Sequence, residues 1–158
     1  MDTRFRVVIE GLTPEVDGGR FPVKRVPGED VVVEADIFTD GHDAVSGVLR
    51  YRREDEAAWS EATFEPLVND RWRARFMVSE TGAYVYTARA WVDRFKSWRR
   101  DLQKRLEAGQ DIGTDLLVGA GLIDAAAARA EDAGRAPATR AADVAPAGGV
   151  MSQADLAA

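Results

Sequence analysis

Residues Arg71-Trp72-Arg73-Ala74-Arg75-Phe76 alternate without a break, apolar at each even position and arginine at each odd one. Successive side chains of an extended chain point to opposite faces, so this run is a strand with one buried and one solvated face. Val31-Val32-Val33-Glu34-Ala35-Asp36-Ile37 carries the same period, with Val31, Val33 and Ile37 on one face and Glu34 and Asp36 on the other. Further strands are expected over Arg6 to Ile9, Val48 to Arg52, Trp59 to Phe64 and Tyr84 to Trp91. Turn signals separate them at Pro27-Gly28, Asp40-Gly41, Asn69-Asp70 and Thr81-Gly82. Several short strands with regular turn signals predict a mainly β fold, an antiparallel β-sandwich over residues 1–92.

The period changes after that. Phe95, Trp98, Leu102 and Leu106 are spaced 3, 4 and 4 apart, one stripe of a helix, and Gly109 is its expected stop. A second helix is expected from Thr114 or Asp115, acting as cap, through Leu116, Leu117, Ala120 and Ile123 to Ala130. Gly119 and Gly121 each weaken it by about 1 kcal/mol relative to alanine. The helical segment is placed at 93–133 and reads as an incomplete α-helical extension, a bundle cut short. The tail at 134–158, broken by Pro137, Pro146 and Gly148-Gly149, has no sustained period and is expected to be disordered.

Composition narrows the chemistry. The 158 residues suit one domain with a small annex, too few for a (β/α)₈ barrel, which needs at least about 200. With no cysteine, disulfides, iron–sulfur clusters, thiolate zinc and cysteine nucleophiles are excluded. The single histidine, His42, rules out a His-rich metal site, so neither metal nor cofactor is expected. A net charge of −6 argues against a nucleic-acid partner. The start, Met1-Asp2-Thr3-Arg4, is not that of a signal peptide, and no apolar stretch approaches the roughly 20 residues of a membrane span. A cytoplasmic protein with no membrane partner is therefore expected.

His42, in Asp40-Gly41-His42-Asp43, has the chemistry of a general base, but no nucleophile motif accompanies it, and a solvated turn is the plainer reading. Glu54-Asp55-Glu56 lacks the spacing of a calcium loop and reads as a charged hairpin loop. Among Tyr51, Trp59, Trp72, Tyr84, Tyr86, Trp91, Phe95 and Trp98, most fit a core, while Trp59 and Trp91 are candidates for stacking on an α-glucan. Arg94, Arg99 and Arg100 read as a solvated or interdomain helix face. The segment Gly18 to Glu29 reads as a loop stiffened by Pro22 and Pro27, with Arg20, Lys24 and Arg25 pre-positioned to meet a phosphate or a neighbouring domain.

Five motifs stand in one order: Gly-Arg-Phe-Pro-Val-Lys-Arg-Val at 19–26 with Gly28-Glu29, then Asp40-Gly41-His42-Asp43, Gly82-Ala83-Tyr84-Val85-Tyr86, Ala90-Trp91-Val92-Asp93-Arg94-Phe95 with Trp98-Arg99, and Asp115-Leu116-Leu117 with Gly119-Ala120. Together they resemble the N-terminal region of the bacterial α-1,4-glucan:maltose-1-phosphate maltosyltransferases of the α-amylase superfamily, over roughly residues 5 to 130. The resemblance implies an immunoglobulin-like sandwich with a helical bundle inserted into it, followed by a (β/α)₈ barrel. That barrel would carry an aspartate nucleophile and a glutamate acid/base for retaining transfer of maltosyl units from maltose 1-phosphate to α-glucans. Neither carboxylate has a counterpart here, so no catalytic residue is assigned and this chain alone is expected to be inactive. It is expected to be an accessory and dimerisation region, partnered by the barrel of its own polypeptide and by a second subunit. Arg20, Lys24 and Arg25 are then candidates for contact with the barrel or its substrate pocket. The alternative is a stand-alone α-glucan-binding module using Trp59 and Trp91.

Overall fold

The computed structural model describes residues 7–135 and 152–156. The chain divides into two units, Met1–Val92 with Pro146–Ala158, and Asp93–Ala145. Among the described residues of the first lie nine strands: β1 (Val7–Thr13), β2 (Val23–Arg25), β3 (Asp30–Thr39), β4 (Val45–Arg53), β5 (Ser60–Thr63), β6 (Glu65–Pro66), β7 (Arg71–Met77), β8 (Ala83–Val92) and β9 (Ser152–Leu156). They form two sheets, ordered β1-β3-β7-β6 and β2-β9-β8-β4-β5. All pairings are antiparallel except β2 with β9.

The alternation read from the sequence sets the sandwich. Val31, Val33, Ala35 and Ile37 of β3 and Ala74 and Phe76 of β7 are buried on one inner face. Leu49 of β4 with Tyr84, Tyr86 and Ala88 of β8 are buried on the other. The sheets meet through Phe76: Tyr51 stacks on it at 4.4 Å between centroids with planes 16° apart, and Tyr84 and Tyr86 lie at 6.3 and 5.9 Å. The Tyr86 hydroxyl donates to the Pro14 carbonyl, so its one polar atom is satisfied inside the core.

The expected single strand from Trp59 to Phe64 is divided. β5 belongs to one sheet and β6 to the other, and the buried Phe64 lies at the crossing, its N–H donating to the Gly47 carbonyl at 3.0 Å. A two-residue turn then leads into β7. Asn69 and Asp70 both hold positive φ, 53° and 59°, the pattern of a type I′ hairpin.

Two further strands differ from expectation. Val23–Arg25, read as loop, forms β2, and Ser152–Leu156, within the tail expected to be disordered, forms β9 between β2 and β8. Three- and five-residue strands carry too few positions for a period to show, and their pairing comes from neighbours distant in sequence. Of the rest of that tail, Gly134 and Arg135 continue a helix, and residues 136–151 and 157–158 lie outside the described residues.

The second unit holds α1 (Arg94–Glu107) and α2 (Gly113–Arg135). Asp93 caps α1, its carboxylate accepting from the Lys96 N–H at 2.9 Å. Gly109 ends it at φ 66°: its N–H bonds the Leu106 carbonyl and that of Gln110 the Arg105 carbonyl, both at 3.0 Å, a Schellman closure. The start of α2 lies earlier than expected. Asp111, not Thr114 or Asp115, accepts from the Gly113 N–H at 2.9 Å. Asp115 instead takes Arg105 at 2.9 Å, and its carbonyl accepts the Trp98 indole N–H at 2.7 Å. Gly119 is buried directly beneath that indole, where a Cβ would overlap the ring. Here glycine is the condition for the two helices to meet.

Two stability tests follow from these contacts. Phe76→Ala is expected to lose about 3–5 kcal/mol, read as a large drop in the denaturant midpoint of the sandwich; a loss under about 1 kcal/mol would show that the sheets do not depend on this ring. Gly121, where an added Cβ would meet nothing within 4 Å, should tolerate alanine with a gain of about 1 kcal/mol, whereas Gly119→Ala should lose about 1–3 kcal/mol. Circular dichroism melts that moved both variants the same way would contradict the Trp98–Gly119 contact.

Candidate functional site

Several charged side chains of the two sheets are paired with one another. On the first sheet, register places Glu34 opposite Arg73 and Asp36 opposite Arg71. Arg73 bonds Glu34 at 2.7 Å, and Arg71 reaches Glu34 at 3.3 Å and Asp36 at 3.2 Å. Arg71 also donates to the Gly11 carbonyl and the Thr13 hydroxyl, both at 3.1 Å, tying β1 to the ladder. The Arg73 and Arg71 hydrogen bonds hold the Glu34 carboxyl below the usual carboxylate range. With these partners already engaged, the ladder stabilises the sheet and offers little to a ligand.

At the other end of the sandwich, Arg53 grips Asp55 through two bonds of 3.0 and 2.7 Å and also contacts Glu80. The hydrogen bond to Asp55, then its charge, raises the Arg53 pKa further. The Glu54-Asp55-Glu56 loop is thus a clamp on β4, with Arg52 donating to the Glu54 carbonyl at 3.0 Å. Among the described residues, no group of three or more His, Asp or Glu side chains could hold a metal ion. His42 is exposed in the β3–β4 connection, whose Gly41 and Asp43 line a shallow cavity of ≈ 320 Å³ with Asp70 and Trp72.

The candidate contact residues do not form one cluster. Arg20 is exposed and paired with Asp17 at 3.1 Å. Lys24 and Arg25 are consecutive residues of β2, so they project to opposite faces of the sheet. Trp59 and Trp91 are likewise apart. The Arg50 and Arg52 guanidinium groups each lie 5.0 Å from the Trp59 ring centroid, a cation–π arrangement that covers the indole. Trp91, 45% exposed, stands opposite Ser46, four to six residues along β4 from those arginines, or about 13–20 Å at the rise of a strand. The sequence shows the arginines of β4 and β7 without their partners; Glu34 and Asp36 on the solvated face of β3 are the available signal.

In the helical unit, Arg94 and Arg99 are exposed and Arg100 pairs with Asp101 at 3.3 Å. Leu116, Leu117, Val118 and Ile123 of α2 are 52%, 75%, 53% and 56% exposed, a run of large apolar side chains on one helix. No helix among the described residues is long and apolar enough to cross a membrane.

Two facing sheets, with a helical pair carried on the connection from β8 to β9, define a β-sandwich domain with a helical extension. Residues 5–157 match the family model described as alpha-1,4-glucan:maltose-1-phosphate maltosyltransferase, domain N/S, and the chain belongs to that family. It is 55% identical over 131 residues to the alpha-1,4-glucan:maltose-1-phosphate maltosyltransferase of Chlorobaculum tepidum, an alignment covering 83% of this chain and 20% of the relative. It is 44% identical over 131 residues to that of Myxococcus xanthus, covering 80% and 20%, and 40% identical over 124 residues to that of Methylacidiphilum infernorum, covering 78% and 19%. The chain spans about a fifth of the length of these curated relatives.

The ion ladder generates a pH test. Because Glu34 titrates below its unfolded value, its stabilisation is present above the ordinary carboxylate pKa and is lost as pH falls through the lowered value. Glu34→Gln should therefore be less stable than wild type in urea at pH 7, with the gap closing as pH falls through that lowered value. A gap independent of pH would show that Glu34 acts through packing alone.

Proposed function

We propose that this chain is the non-catalytic N-terminal support region of a maltosyltransferase that moves maltosyl units from maltose 1-phosphate to α-1,4-glucans. The region acts in assembly, with the sandwich packing on a catalytic barrel and the helices reaching a second subunit of a cytoplasmic homodimer. The observation that carries this reading is the run of exposed Leu116, Leu117, Val118 and Ile123 on α2. Leu116 and Ile123, seven residues apart, share a face, and Leu117 and Val118 are turned about 100° and 200° from it, so apolar surface runs round much of this helix, and exposed apolar surface of that extent is made to be covered. The relatives supply what the reading requires: about four fifths of their length lies beyond the match, far more than the roughly 250 residues of a typical barrel. The chemistry of both substrates is carried in their name, and in this reading it belongs to the barrel. Arg20, Lys24 and Arg25 are the basic groups proposed to meet the barrel or the edge of its substrate pocket.

A chimera tests the proposal. This chain is placed in the Chlorobaculum tepidum relative in exchange for the region it matches, beside a version of that enzyme lacking the region. The chimera is expected to release phosphate from maltose 1-phosphate as a dimer, and the deletion to lose both solubility and dimer. In the chimera, Arg20→Ala with Lys24→Ala should change KM or the mass in solution. A deletion that stays dimeric with unchanged kinetics would refute the support role, and unchanged behaviour of the double variant would remove the basic stretch from it.

A further inference from the structure

β2 is three residues long, and among the described residues its one neighbour in the sheet is β9. Val23, Lys24 and Arg25 pair in parallel with Ala154, Asp155 and Leu156. On its other side β9 pairs antiparallel with β8, where Ser152 to Asp155 stand opposite Tyr86 to Ala83. The segments flanking β2 have their own attachments. Before β2, the Pro14 carbonyl accepts from the Tyr86 hydroxyl and Val16 bridges Phe21 within the same segment; after it, the Gly28 N–H donates to the Val78 carbonyl at 2.7 Å and the Val78 N–H to the Glu29 carbonyl at 3.0 Å. Between these anchors, Val23–Arg25 is joined to the sandwich through β9.

The two contacts of β9 differ in strength from those of the core. β4 and β8 pair over nine register positions, and β3 and β7 over seven, whereas β9 pairs over four on one side and three on the other. A three-residue strand with one neighbour does not persist unaided, since even a complete two-stranded hairpin is marginal in water. Parallel pairing is also slightly weaker per residue than antiparallel. β9 is reached only after the whole of residues 93–151, so its docking closes a long loop, and undocking it leaves β8 still paired to β4. The match to the family model runs through this strand to residue 157.

We infer that Ser152–Leu156 is a detachable tie: the slot between β2 and β8 accepts this extended segment, and its docking holds the basic stretch Val23–Arg25 in the sheet. Lys24 and Arg25 are thereby controlled by the opposite end of the chain. When β9 is docked they are fixed on opposite faces of a strand, and when it leaves they return to a mobile loop while the core around Phe76 stays folded. This is local opening of a peripheral unit below the global stability of the domain. The inference concerns the sandwich alone and does not depend on which substrate the parent enzyme uses.

Limited trypsin digestion of the full chain tests it, with each cut read by mass spectrometry. The bonds after Lys24 and Arg25 lie in β2, and those after Arg50 and Arg52 lie in β4 as internal controls. Ala154 stands between Val23 and Tyr84, so Ala154→Pro removes an N–H from the centre of the tie. Cutting after Lys24 and Arg25 is expected to accelerate by about tenfold or more in this variant, as the open population rises, while the β4 sites stay protected. A chain ending at Gly149 should behave the same way, and a synthetic peptide of residues 150–158 should restore protection in trans. Unchanged cutting in Ala154→Pro would overturn the tie. So would simultaneous exposure of the β4 sites, which would make β9 part of the global core, and so would failure of the peptide to protect a truncated chain whose β4 sites remain closed.

Discussion

The stacking of Tyr51 on Phe76 joins the two sheets, and the rest of the sandwich depends on it. Phe76 comes from β7 in one sheet; Tyr51, Tyr84 and Tyr86 come from β4 and β8 in the other. Four large rings fill the space between the inner faces, and aromatic burial supplies more apolar area per residue than the small side chains around it. Phe76 can occupy that place only if the strand that carries it turns its arginines outward. The outer ladder of Glu34, Asp36, Arg71 and Arg73 is the consequence of that orientation, so the core and the charged face are two sides of one alternation.

What the residues disclose in advance depends on the length of each element and the distance of its partners. β3 and β7 are legible because six or seven consecutive residues repeat the same period. α1 is legible for the same reason, and Asp93 and Gly109 mark its ends by local chemistry. β2 and β9 are not legible: neither is long enough to show a period, and their pairing joins residues more than 120 positions apart. Gly119 looks like a weak point in α2 on propensity and is instead the site where Trp98 lands, a fact that only the pairing of two helices can show. The cap of α2 is displaced because Asp111, Thr114 and Asp115 are all competent capping residues in sequence, and the fold engages Asp115 elsewhere.

The candidate site is less legible than the fold. The basic residues Arg20, Lys24 and Arg25 are close in sequence, but the strand between them divides their faces. Trp59 and Trp91 are separated along β4, and the guanidinium groups over Trp59 already use its π-face. Glu34, Asp36, Arg71 and Arg73 engage one another on the sandwich, as do Arg53 and Asp55, whereas large apolar side chains on α2 are exposed. The chain belongs to a family whose relatives are about five times as long as the match.

The central claim is that the chemistry resides outside these residues. The most direct measurement is phosphate release by the purified 158-residue chain supplied with maltose 1-phosphate and a maltooligosaccharide acceptor. Release no greater than in a protein-free control is the expected result, with the chain folded by circular dichroism in the same buffer. Sustained release that scales with chain concentration would contradict the claim and place a catalytic centre within the sandwich or its helices.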